Sequence, residues 1–270
     1  MILFSVIWNV PPEFFVVTDS YAVRWYGVLF ALGYLLSYYI LQRIFVKENL
    51  PLPLLEKATL ASIIGGVLGA RLGHCIFYEP LRYLQDPLSI LYVWEGGLAS
   101  HGGAIGIVLA FLIVVRKSEI SYATIMARAM LVVPLAGFFI RMGNLMNSEI
   151  YGVQTNAPWG FVFSYVGETV PKHPTQIYEA LAYLLTFIVL QYYAWKQLRT
   201  LKKLSNHFII GIFLIGIFFT RFLIEFIKEP QVLFETTMLL NMGQLLSIPF
   251  FVYGFWVLWK ELRVNKITLP

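Results

Sequence analysis

Long apolar runs, separated by short polar connections, recur along this chain. Crossing a bilayer takes roughly 20 mostly apolar residues in a helix. Seven stretches meet that pattern, near Tyr21–Phe45, Ala58–Phe77, Gly97–Val115, Ala123–Ile140, Thr175–Trp195, Phe208–Ile227 and Met238–Trp259. Inside lipid every backbone polar group needs an internal partner, so the runs predict helices packed as one bundle. The predicted fold is an all-α integral membrane protein with seven transmembrane helices, forming a single polytopic domain over residues 1–270. Seven crossings put the two termini on opposite faces. The longest connection, residues 141–174, is predicted to fold as a small cap, with strands around "WGFVFSYV".

Charge orients the bundle. One set of loops carries Arg43, Lys47, Lys57, Arg116, Lys117, Lys196, Arg199, Lys202, Lys203, Lys260, Arg263 and Lys266; the other carries only Arg24, Arg82, Lys172 and Lys228. The basic-rich side is cytoplasmic by the positive-inside rule, so the N-terminus is outside, the C-terminus is cytoplasmic and the cap lies on the outer face. The net charge of +5 belongs to this anchoring pattern and calls for no nucleic-acid partner. Composition agrees. The chain is 59% hydrophobic and 13% charged, against about 25% charged in soluble domains. "MILFSVIWNVPPEFF" lacks a basic leader and a small-residue cleavage site, so no cleaved signal peptide is expected. Cys75 is the only cysteine, which excludes intramolecular disulfides and cysteine-rich metal sites.

Ionisable residues at membrane depth are costly and mark function by default. Those that matter are Arg71, His74, His101, Arg141, Glu149, Glu179, Arg221 and Glu225, most of them toward the outer helix ends. Gly65, Gly69 and Gly73 share one helix face, which favours close helix packing. Arg71 beside them either snorkels to the surface or is held against an anionic headgroup. His101, in "EGGLASHGGAIG", is a base, a phosphate donor or a packed polar residue. Arg221 and Glu225 stand four apart in "TRFLIEFIKEP" and share a face, as an internal ion pair or as an arginine oriented into a polar cavity. In "HPTQIYEA", Thr175 or His173 is expected to cap the fifth helix, with Pro174 early in it. Capping leaves Gln176, Tyr178 and Glu179 unexplained.

The four histidines show no ligand-pair spacing, and no nucleophile elbow, P-loop or dinucleotide fingerprint is present. Arginines in a half-dry site suit phosphate recognition, and the phosphate at that depth is a phospholipid headgroup. A transporter for anions would use the same arginines, but the polar residues gather toward one face and no internal repeat is seen. A structural assembly subunit would leave the cluster without a chemical role.

"RMGNLMNSEIYG", Arg141 to Gly152, resembles the signature of the bacterial prolipoprotein diacylglyceryl transferases. "RWYGVLFALGY", "GARLGHCIFYEP", "EGGLASHGGAIG", "HPTQIYEA", "RFLIEFIKEP" and "NMGQLLSIPF" match the same family in order, from about Arg24 to Phe250. The resemblance implies transfer of a diacylglyceryl group from phosphatidylglycerol to the lipobox cysteine thiol of a prolipoprotein. A thioether forms and glycerol phosphate leaves, in the first step of bacterial lipoprotein maturation. It also implies a bacterial cytoplasmic (inner) membrane protein with its active site toward the outer face and no metal or organic cofactor. Its partners are phosphatidylglycerol, the prolipoprotein signal peptide and the bilayer.

The resemblance also implies site residues. Tyr26, His101, Arg141, Arg221 and Glu225 fall on catalytic positions. Arg141, Asn144, Asn147, Glu149 and Gly152 fall on the signature, with Arg71 added as a lipid contact. In this reading Arg141 and Arg221 clamp the phosphate, and His101 takes the thiol proton or binds the headgroup. Asn144 and Asn147 donate to phosphate or glycerol oxygens, Glu149 and Glu225 orient the arginines, and Tyr26 positions lipid or thiol. Gly152 permits a turn that a side chain would block. Ile217 departs from relatives that carry a tyrosine there.

Overall fold

The computed structural model describes residues 5–18, 21–93, 96–230 and 238–267. Glu95 of the glycine-rich motif and the side chain of Lys266 lie outside them. The chain opens with strands β1 (Val6–Trp8), β2 (Glu13–Thr18) and β3 (Tyr21–Arg24), then enters helix α1 (Trp25–Lys47). Helices α2 (Leu52–Phe77), α3 (Pro80–Gln85) and α4 (Ser100–Val115) follow, then α5 (Tyr122–Met130) and α6 (Val133–Met146). Strand β4 (Phe161–Phe163) precedes α7 (Thr175–Arg199). Helix α8 (Asn206–Leu214), a π turn (Ile215–Phe219), α9 (Thr220–Ile224) and a 3-10 turn (Glu225–Ile227) run on from one another, and α10 (Met242–Ile267) closes the order.

Among the described residues, five helical segments are long and apolar enough to cross a membrane: α1, α2, α7, Asn206–Ile227 and α10. The bent pair α5–α6 makes a sixth if it counts as one span. The predicted third span is the apolar helix α4, only 16 residues long; at 1.5 Å per residue it measures about 24 Å, short of a hydrocarbon core of about 30 Å. Its start is delayed because Gly96 and Gly97 both take left-handed φ, at 91° and 68°. Other edges move for local reasons. Tyr21–Arg24, predicted as helix, is a strand hydrogen-bonded to β2. Helix α2 starts six residues early because prolines are tolerated in a first turn. Helix α10 starts late, at a cap described below.

The chain folds as two compact units, residues 1–40 with 130–270 and residues 41–129. In the second unit α2 packs on α4 through glycines on both helices. A Cβ on Gly69 would come 2.3 Å from the Gly102 carbonyl oxygen, and one on Gly106 would come 2.0 Å from that of Gly65. The small face predicted on α2 is therefore met by a second small face on α4. In the first unit, β1 pairs in parallel with β4, so the amino-terminal segment is stitched to the α6–α7 connection. Trp8 adds its indole N–H to the Leu145 carbonyl at 3.1 Å.

A buried pair fastens the second unit at its other end. Arg128 donates from Nε and Nη2 to the two Glu48 carboxylate oxygens at 2.5 and 2.6 Å. Removing one partner of such a pair strands a charge out of water, at about 3–5 kcal/mol. Arg128→Ala should therefore lower thermal stability in detergent by that amount, whereas Arg128→Met with Glu48→Leu should recover most of it. Equal losses in the single and double variants would contradict the assignment.

Candidate functional site

The signature begins on the last turns of α6 and continues past its end. Asn147 caps α6 at the carboxyl end. Ser148 and Ile150 then take left-handed φ, 52° and 60°. That conformation is unfavourable for a β-branched residue and needs support from its surroundings. Helix α7 supplies it. Thr175 Oγ1 donates to the Ile150 carbonyl at 2.9 Å, and Gln176 Nε2 donates to the Glu149 carbonyl at 2.7 Å. Both side chains are fully buried. Neither Thr175 nor His173 caps α7, contrary to expectation; the cap position is Pro174, with no side-chain hydrogen bond. The polar residues of "HPTQ" brace the signature loop instead.

Glu179, one turn further along α7, is 0% exposed. Arg141 Nε lies 2.6 Å from its Oε2, and the Tyr183 hydroxyl also bonds Arg141. Lys228 Nζ lies 3.5 Å from Glu179 Oε1 and 3.6 Å from Glu225 Oε2. Arg221 Nε is 3.9 Å from Glu225 Oε2. The five groups form an alternating series: Arg141, Glu179, Lys228, Glu225, Arg221. Both ends are cations, so the series carries one excess positive charge in a setting where charge is poorly screened. Glu149 stands outside it, joined through Asn144. Asn144 accepts from Arg141 Nη1 at 3.1 Å and donates to Glu149 Oε1 at 2.8 Å, and Asn147 donates to the same oxygen at 3.2 Å.

These contacts revise several expected roles. Glu179, not Glu149, pairs directly with Arg141. Asn144 and Asn147 direct their amide N–H groups to Glu149 here rather than to a ligand. Lys228, expected as an outer-loop anchor, has a side chain only 1% exposed and sits between two carboxylates. The left-handed turn is made by Ser148 and Ile150, not by Gly152. Gly152 serves close approach: its Cβ would lie 2.3 Å from the Ile227 carbonyl oxygen. Val153 N donates to that same oxygen at 2.9 Å, which draws the signature loop onto the Arg221–Lys228 segment. The Tyr26 ring lies against Gly143 of the signature, where a Cβ would come within 2.7 Å of it. Lys228 and Tyr183 are residues that motif reading left out, and Glu179 and Gln176 are ones it singled out without a role. A carboxylate and a lysine flanking apolar helical sequence were the available signal.

The second unit holds its own polar group. Arg71 is 3% exposed and donates to the carbonyls of Ser89, Ile90, Gly96 and Gly97 at 2.5, 2.9, 2.6 and 3.4 Å. Its guanidinium also faces the Tyr83 ring, 5.1 Å from the centroid. Arg71 thus organises the loop before α4 and is buried rather than snorkelling to the surface. His101 is exposed at the start of α4, with Nε2 3.4 Å from the Tyr78 hydroxyl. Tyr78 stacks on His74, their rings 5.4 Å apart.

The α6–α7 connection is locked by its own network. Tyr151 donates to Glu168 Oε1 at 2.8 Å and stacks on Phe163, while Lys172 pairs with Glu229 and Glu168. Burial, then the Glu168 hydrogen bond, pushes the Tyr151 phenol up to about 12. Burial works against the Lys172 charge, but Glu229 and Glu168 outweigh it and raise its pKa. Both raised groups stabilise the fold fully below their unfolded values, and that contribution is lost as pH rises through the folded ones. A tyrosinate difference titration of the native protein against Tyr151→Phe should therefore show a midpoint near 12. A midpoint near the ordinary value of about 10 would contradict the network.

Comparison with known proteins places this geometry. The family model described as prolipoprotein diacylglyceryl transferase matches residues 12–260. A phosphatidylglycerol–prolipoprotein diacylglyceryl transferase of Tolumonas auensis is 44% identical over 248 residues, covering 92% of this chain and 94% of the relative. Proteins of the same name from Porphyromonas gingivalis and Chloroherpeton thalassium are 40% and 38% identical, each match covering 97% of this chain and 96% of the relative. The chain belongs to the prolipoprotein diacylglyceryl transferase family.

Proposed function

We propose that the alternating charge series is the headgroup site of a phosphatidylglycerol–prolipoprotein diacylglyceryl transferase. The chain transfers the diacylglyceryl group of phosphatidylglycerol to a prolipoprotein cysteine, the reaction for which its relatives are named. The observation that carries the headgroup reading is the position of Arg221. Arg141 and Lys228 are buried and close to carboxylates, whereas the Arg221 side chain is 35% exposed and meets Glu225 only at 3.9 Å. Arg221 is the cation of the series with most of its guanidinium open to an anion.

In the reaction the cysteine thiolate attacks the glycerol carbon that bears the phosphate. A carbon–sulfur bond forms, the carbon–oxygen bond to phosphate breaks, and the electron pair leaves with glycerol phosphate. Charge localises on the leaving phosphate as that bond breaks, so donors fixed at its oxygens favour the transition state. Arg221 is assigned that contact, and Arg141 completes the clamp from its seat on Glu179. The thiol, with a reference pKa near 8.5, needs a base; the family resemblance assigns this to His101. Holding two membrane-borne substrates in line supplies much of the remaining acceleration.

The site is assigned to the outer face of a bacterial cytoplasmic membrane, with the N-terminus outside. The charge asymmetry of the loops supports this orientation. Seven passes follow if α4 and the α5–α6 pair each cross, and residues 141–174 then form the outer cap. The direct assay incubates purified protein with labelled phosphatidylglycerol and a lipobox peptide and reads the mass gain on cysteine. Arg221→Ala should insert normally and lose about a thousandfold in rate. Native-like transfer by that variant would remove Arg221 from the site.

A further inference from the structure

One motif is still without a role: "NMGQ", where α10 begins. Its cap is reciprocal. Asn241 Oδ1 accepts from the Gln244 backbone N–H at 2.9 Å, and Gln244 Oε1 accepts from the Asn241 N–H at 3.1 Å. This is a capping box in amide form. Gln244 also reaches the Phe222 carbonyl at 3.4 Å, on the helix that carries Arg221. Ser247 Oγ donates to the Gly243 carbonyl at 2.6 Å from the next turn. The backbone at Gly243 is therefore held from both sides.

Glu225 fills the space that Gly243 leaves open. A Cβ on Gly243 would lie 2.7 Å from the Glu225 carboxyl carbon and 2.8 and 2.9 Å from its two oxygens. Glu225 is 7% exposed, and its Oε2 has no hydrogen-bond partner among the described residues. Both cations near that oxygen are loose, Lys228 at 3.6 Å and Arg221 at 3.9 Å. What seats the carboxylate is shape, together with the positive end of α10, more than any short hydrogen bond.

Resting on the headgroup reading above, we infer that Gly243 is a positioning residue for the transfer. The missing side chain sets the Glu225 carboxylate between Arg221 and Lys228, and through it fixes where the Arg221 guanidinium points. Adding one methyl group would displace the carboxylate by about half an ångström or more to restore ordinary contact. The backbone cannot retreat, because the cap and Ser247 hold it. The carboxylate is the end of a flexible side chain, so the fold tolerates the change and the reacting geometry does not.

The test compares Gly243→Ala in the native and Glu225→Asp backgrounds, using steady-state transfer from labelled phosphatidylglycerol to a lipobox peptide. In the native background Gly243→Ala should lower kcat about tenfold, in keeping with the sensitivity of rate to small misplacement. KM for phosphatidylglycerol and thermal stability in detergent should change little. In the Glu225→Asp background the carboxylate is withdrawn by one methylene, and the same alanine should cost less than about twofold, since nothing is left for it to push. Native-like activity of Gly243→Ala, or the same loss in both backgrounds, would overturn the inference. Arg221→Ala, run beside them, separates the two levels. If it transfers normally, the headgroup reading itself fails; if it is inactive while Gly243→Ala is native-like, only the role of Gly243 fails.

Discussion

A carboxylate with no exposure to solvent, Glu179, is the group on which the rest of the first unit depends. A lone buried carboxylate would take up a proton or unfold its surroundings. Two cations come to it instead: Arg141 from α6 and Lys228 from the end of the α8–α9 rod. Those contacts pull two chain segments onto one helix. Thr175 and Gln176, on the same helix, then hold the signature loop in its left-handed turn. The fold around the site is thus arranged by the need to satisfy one charge. Arg221, at the other end of the series, is its most exposed cation.

The second unit handles its buried charges differently. Arg71 donates to four main-chain carbonyls, and Arg128 is matched by both oxygens of Glu48. These guanidinium groups are satisfied by the protein itself and serve to hold loops. Between them, α2 and α4 meet through glycines with their backbones almost touching. Comparing the arginines is informative. Arg71, Arg128 and Arg141 each have close protein partners, whereas Arg221 meets Glu225 only near the limit of an ion pair.

The spans and the signature were legible in the sequence because hydropathy and motif spacing are local. Gln176 and Glu179 stood out as polar residues that capping did not explain, and together with Thr175, the expected cap, they brace the site. What the sequence concealed was pairing across distance. Glu179 and Lys228 are 49 residues apart, and nothing near Lys228 distinguishes it from an ordinary loop cation. Arg71 read as a lipid contact because its partners are carbonyls, which composition cannot reveal. The strand at Tyr21–Arg24 was hidden inside an apolar run, since β and α conformations share that composition. The left-handed φ of Ile150 runs against its own preference, so only the surrounding hydrogen bonds account for it.

In the proposed site, fixed carboxylates hold two arginines so that one of them meets a lipid phosphate. The most direct measurement is the dipolar coupling between guanidinium nitrogens and lipid phosphorus. Protein labelled at its arginine side chains, in bilayers whose only phospholipid is phosphatidylglycerol, would be compared with an Arg221→Lys variant by solid-state resonance. The native protein should give a close nitrogen–phosphorus coupling that disappears in the variant. An unchanged coupling in Arg221→Lys would show that another arginine holds the phosphate and would contradict the account.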